Sequence, residues 1–132
     1  MISEMAQILL VDDDTNVLLT LAIALRRQGH IVTIAQNGWQ ALNLLRRHQF
    51  NVLISDVKMP GMTGVELAER AHHVPNPPRV ILTSALDVDL AEGVAEAFVP
   101  KPVDVAYLNE VVLQESHSDA GRNACWSSIR AA

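Results

Sequence analysis

The sequence lacks most of what would place it outside a reducing compartment, in a bilayer or on nucleic acid. Its 132 residues hold one cysteine, Cys125, so no disulfide can form within the chain, and no Cys/His spacing suggests zinc. A reducing, cytoplasmic location fits best. No apolar run approaches the length that spans a bilayer, and the opening "MISEMAQ" has no positive region followed by a hydrophobic one. Basic blocks are missing too. Ten Lys and Arg face fifteen Asp and Glu, a net charge of −5, which argues against direct binding to nucleic acid or an anionic membrane, since both need a concentrated cationic surface. There is no repeat of solenoid period and no low-complexity segment.

What is there suits one globular core. About half the residues are hydrophobic (49%) and 19% are charged, in a length that leaves little room for a second domain. Apolar runs of strand length recur at Ile8–Val11, Ile31–Ala35, Val52–Ile54, Val80–Leu82 and Ala97–Val99. Between them lie helical stripes. Leu18, Leu21, Ala22 and Leu25 mark the first, Ala41, Leu42, Leu44 and Leu45 the second, Leu67, Ala68 and Ala71 the third. Val105, Leu108, Val111 and Val112 form another after Pro102. Asp14 can cap the helix starting near Thr15 and Gly29 suits its end, Asn37-Gly38 opens the next, and Thr63-Gly-Val-Glu66 has the form of a capping box. Such βα alternation predicts a doubly wound parallel sheet with helices on both faces. Pro100 puts the last strand at an edge, because proline cannot donate to a central ladder.

Two stretches break the pattern. Only about Asp87–Glu96 can form the helix between strands four and five, and Gly93 inside it costs roughly 1 kcal/mol against Ala, so a short, irregular or mobile segment is expected. The domain is read over residues 1–115. Residues 116–132, small and polar, are read as a flexible tail or linker.

The polar residues fall at strand ends, where open parallel sheets bind ligands. Asp12 and Asp13 follow strand one, Asp56 strand three, Thr83 and Ser84 strand four, and Lys101 strand five. Carboxylates sharing a cleft suit a hard divalent cation such as Mg²⁺, which offsets their repulsion and neutralises an incoming phosphoryl group. Aspartate can be a phosphoryl-accepting nucleophile, and a lysine and a hydroxyl can hold the phosphoryl oxygens.

Together, "ILLVDDD", "VLISDVKMPGMTGVEL", "VILTSA" and "FVPKP" resemble the receiver domain of two-component response regulators over about residues 6–115. The combination is specific, whereas a lone DD or KP would mean little. The resemblance implies a five-stranded flavodoxin-like sheet in the order 2-1-3-4-5 and Mg²⁺-dependent phosphorylation by a sensor histidine kinase or phosphotransfer protein. It makes Asp56 the phosphoacceptor, Asp13 a direct metal ligand, Asp12 a ligand through water, and the Lys58 backbone carbonyl a further ligand. Ser84 matches the switch hydroxyl, with Thr83 the alternative that shifts the register by one. Lys101 becomes the phosphate-binding lysine, Lys101-Pro102 a cis peptide bond and Phe98 the aromatic switch residue, where Tyr is frequent.

The chain also departs from the family. Its Ser84-to-Lys101 interval is about five residues short, more than one helical turn, and the loss falls on the family's fourth helix, a face used for dimers and partners. The expected role is therefore a switch that assists only its own phosphorylation and dephosphorylation. An output domain or effector would read it, and a homodimer is compatible. Two rivals stand beside it: a phosphorylation-independent adapter acting through the altered fourth helix, and a phosphohydrolase whose DxDx[TV] pattern is broken by Asn16. Taken singly, other residues have ordinary explanations. Asp14 reads as a cap, Met59 and Met62 as loop packing and Trp39 as partial packing. Arg26-Arg27 and Arg46-Arg47 read as solvated helix ends, and His30, His48, His72, His73 and His117 lack ligand spacing.

Overall fold

Five short apolar runs cannot each bury two faces alone, and they do so by pairing side by side. The computed structural model describes residues 5–85 and 93–115. Its elements alternate as β1 (Gln7–Val11), α1 (Thr15–Arg27), β2 (Ile31–Ala35), α2 (Gly38–Arg47), β3 (Val52–Asp56), α3 (Gly64–Ala71), β4 (Arg79–Ser84), β5 (Ala97–Pro100) and α4 (Val105–Glu115). All strands pair in parallel in the order β2-β1-β3-β4-β5, with Leu10 opposite Ile54, Ile54 opposite Ile81 and Leu82 opposite Phe98. The expected order and strand positions hold. β3 and β4 run further than their apolar runs because Ser55, Asp56, Thr83 and Ser84 stay in the ladder while buried.

Alternate strand residues feed two cores. Leu9, Val11, Leu53, Val80 and Leu82 meet α2 and α3 through Leu42, Leu45, Leu67 and Ala68. Ile8, Leu10, Ile54 and Ile81 meet α1 and α4 through Leu18, Leu25, Leu108 and Val112. Each such leucine or isoleucine, taken fully from water, stabilises the fold by roughly 2 kcal/mol before chain entropy is counted. The helix stripes read from sequence are these faces.

The caps explain where the helices begin. Asp14 Oδ1 accepts the Asn16 and Val17 N–H groups at 3.0 and 3.3 Å, and Asn37 Oδ1 accepts that of Gln40 at 2.8 Å. Thr63 and Glu66 form the full capping box. Asp104, not singled out by sequence, caps α4 by accepting from Ala106 and Tyr107. Gly29, at φ 97°, ends α1 in the left-handed region that glycine tolerates best. His30 is a structural residue: buried, its Nδ1 accepts the Ala6 N–H at 3.0 Å and its Nε2 donates to Asn109 Oδ1 at 2.6 Å, tying α4 to the sheet.

The stretch Asp87–Glu96, expected to be a short or irregular helix, is irregular over its described part. Residues 93–96 turn instead, with Gly93 at φ 93°, where a right-handed helix cannot continue. Val94 and Ala95 are buried in the α2–α3 core, and the Glu96 N–H already donates to Val80 O at 2.8 Å as the chain enters β5. Residues 86–92 and 116–132, with the rest of that helix and the tail, lie outside the described residues.

α3 starts hard against β3. The Gly64 N–H donates to Val57 O at 2.8 Å, and a Cβ at Gly64 would overlap the Asp56 carbonyl oxygen. Elsewhere in a helix, Gly→Ala gains up to about 1 kcal/mol. Here the overlap reverses the sign, and Gly64→Ala is expected to lower stability by about 2 kcal/mol, read as a reduced urea midpoint at unchanged slope.

Candidate functional site

The carboxyl edge of the sheet collects the polar residues singled out by sequence. β1 ends in Val11, so Asp12 leaves the ladder buried (2% exposed) while Asp13 reaches solvent. β3 ends on Asp56 itself, 9% exposed, and β5 leads directly into Lys101. The carboxylate oxygens of Asp12, Asp13 and Asp56 lie within 4.8 Å of one another. Lys101 Nζ sits between two of them, 2.8 Å from Asp12 Oδ2 and 3.4 Å from Asp56 Oδ2.

The two ends of Asp12 are both engaged. Oδ1 accepts the Asp14 N–H at 2.9 Å and Oδ2 accepts from Lys101, whereas Asp13 and Asp56 keep more open oxygens. Ser55, which sequence reading passed over, anchors the Asp56 backbone from inside the sheet, its hydroxyl donating to Asp56 O at 2.9 Å. Its only signal was a polar residue within an apolar strand.

Crowding shows in the ionisation. Burial pushes the Asp56 carboxyl above its ordinary value; Lys101 counteracts this, while the charges of Asp12 and Asp13 add to it. For Lys101, burial works against the ammonium, but the hydrogen bond and charge of Asp12, with Asp56 behind them, outweigh it and raise the pKa. The cleft therefore holds more negative charge than one lysine balances.

Thr83 and Ser84 are both 2% exposed. Thr83 is the register partner of Asp56; Ser84 follows, on the strand face shared by Leu82. Phe98, opposite Leu82 and half-buried against the α2–α3 core, occupies that same face. Lys58 lies in the loop after Asp56 with its side chain exposed, and Met59 and Met62 are packed inside, as expected. Lys101-Pro102 is cis. Of the candidates, then, the acidic three and Lys101 come together, while Ser84 and Phe98 share one face of neighbouring strands.

A doubly wound α/β sheet with a carboxylate cleft and a lysine at its carboxyl edge defines the class, a flavodoxin-like domain whose ligands bind at the strand ends. The family follows from comparison: the model of the response regulator receiver domain matches residues 8–113, and the chain belongs to that family. It is 31% identical over 132 residues to the transcriptional regulatory protein AfsQ1 of Streptomyces coelicolor, covering 95% of this chain and 59% of that protein. The chain thus spans little more than half of that relative. The response regulator TrrA of Thermotoga maritima, solved in complex with Mg²⁺ and BeF, superposes with a TM-score of 0.74 at 30% identity, covering 80% of this chain and 95% of that one. The receiver domain of the hybrid histidine kinase CckA gives 0.72 at 33% identity, covering 83% and 97%. No helix among the described residues is long and apolar enough to cross a membrane.

Proposed function

We propose that this domain is a phosphorylation-operated switch in which Asp56 accepts a phosphoryl group from a histidine kinase or phosphotransfer protein. The observation that carries it is the meeting of Asp12, Asp13 and Asp56 with Lys101 from three strands. The donor set is all oxygen and anionic, the chemistry Mg²⁺ takes, and the Thermotoga relative was solved with that ion. Asp13 and Asp56, with the Lys58 carbonyl, would hold the ion, and Asp12, its oxygens already engaged, would act through water. When bound, the cation supplies positive charge that offsets the carboxylates and the incoming phosphoryl oxygens.

An Asp56 carboxylate oxygen attacks phosphorus of a phosphohistidine; the P–O bond forms as the P–N bond breaks, and the imidazole leaves with the electron pair and takes up a proton. Lys101 and the Ser84 hydroxyl hold phosphoryl oxygens. Ser84 moves toward the new charge and Phe98, on the same strand face, repacks; these two arrangements are the switch. The same residues assist loss of the group to water, and no external substrate is turned over.

The test uses a small phosphodonor on the purified protein. With Mg²⁺, intact-mass analysis should show one alkali- and hydroxylamine-labile phosphoryl adduct on Asp56, and chelation of the metal should abolish it. Wild-type protein that takes no label would instead be a phosphorylation-independent adapter.

A further inference from the structure

We propose that the groove between α2 and α3 is a docking surface for an acidic peptide segment of a partner protein, independent of the phosphoacceptor edge. Leu42 and Val74 are its buried floor, Pro75 its end, and Arg46, Arg70 and His73 its exposed rim, around about 240 Å³. Arginines at the last turns of two helices have an ordinary explanation in the helix dipoles. Trp39 does not. Expected to be partly packed, it stands 59% exposed on the first turn of α2, with the Arg70 guanidinium 5.3 Å from its ring centre. Stacking there holds the planar fork of Arg70 in place, ready for bidentate contact with a carboxylate.

Charge identifies the occupant. The chain carries fifteen acidic residues against ten basic ones, yet among the described residues neither Arg46 nor Arg70 forms a salt bridge. Trp39, Leu42 and Arg46 lie at i, i+3 and i+7, one stripe about 10 Å long. An exposed tryptophan and two uncompensated arginines beside an apolar floor have the composition of an energetic interface centre. The chain's own residues 116–132 do not complement it, carrying Asp119 against Arg122 and Arg130. Nucleic acid is disfavoured because Arg46, Arg70 and His73 make a sparse cationic rim, and phosphate-backbone binding needs a denser one.

The probe is a short amphipathic helical peptide of leucine and glutamate, titrated into the ¹⁵N-labelled, unphosphorylated protein, with its lysine-for-glutamate counterpart as control. Shifts should concentrate at residues 39–46 and 66–75, weaken with added salt, and be absent with the lysine peptide. Arg46→Gln with Arg70→Gln should weaken binding about tenfold, with the melting curve and phosphodonor labelling unchanged. Equal binding of the lysine peptide, undiminished binding by the double variant, shifts centred on Lys101, or anionic vesicles or duplex DNA shifting these residues while the acidic peptide does not, would each overturn the proposal. Labelling is read separately, so failure of the switch reading leaves the groove result intact.

Discussion

Asp56→Asn is expected to abolish the phosphoryl label and, in metal-free buffer at neutral pH, to make the protein more stable by about 1 kcal/mol. The first effect is loss of the nucleophile, since an amide offers no carboxylate oxygen to phosphorus. The second follows from the ionisation of the cleft. The Asp56 carboxyl is raised above 3.8, chiefly by burial, so the folded state holds its proton more tightly than the unfolded state does. Stability tied to this group is then greatest below pH 3.8 and declines as pH rises through the folded value. Asparagine keeps the shape without the charge and removes that decline. The gain is modest because solvent at the cleft mouth screens the repulsion. Denaturant curves from acid to neutral pH, with and without Mg²⁺, read both parts: the advantage of the variant should vanish below pH 4 and shrink when Mg²⁺ supplies the missing positive charge to the wild type. Unchanged labelling, or a variant less stable than wild type at neutral pH without metal, would be the contrary result.

The same charge crowding explains why the site is legible in the sequence. Apolar runs that end abruptly in Asp12-Asp13, Asp56 and Lys101 announce strand termini, and parallel topology brings all strand termini to one edge. Gly64 could be read only as the first residue of a capped helix; that its missing side chain makes room for the Asp56 carbonyl depends on how closely α3 approaches β3, which no periodicity encodes. Ser55 and His30 escaped for a related reason. Ser55 satisfies a buried carbonyl within its own strand and His30 a buried N–H of a distant segment, and a polar residue in such a role has no pattern of its own. The irregularity between β4 and β5 was legible from the short interval and from Gly93, which turns the chain there. Val94 and Ala95 lie where a helical stripe would also place them, and the φ of Gly93 and the backbone pairing of Glu96 with Val80 distinguish the turn.

Lys101→Ala should be the most destabilising change at the site, lowering stability by about 2 kcal/mol in metal-free buffer, while raising the apparent affinity for Mg²⁺ about tenfold. Asp12 is nearly sealed from solvent, and its Oδ2 has Lys101 at 2.8 Å as its partner; removing the ammonium leaves a buried carboxylate facing Asp56. Because the lysine pKa is raised in the fold, its contribution is fully present below pH 10.5 and is lost only as pH rises through the higher folded value, so the deficit of the variant should be constant from neutrality to about that point. Yet Lys101 and a divalent cation draw on the same carboxylates. With the fixed positive charge gone, the cleft offers the cation an undivided negative field, and added Mg²⁺ should recover most of the lost stability by preferential binding to the folded state. Phosphodonor labelling of the variant should persist, because Asp56 and the metal ligands remain. The response of Ser84 and Phe98 to the label should fall away if Lys101 links the phosphoryl group to β5. Weaker Mg²⁺ binding in the variant would mean that Lys101 positions the ligands, not that it competes with the ion for them.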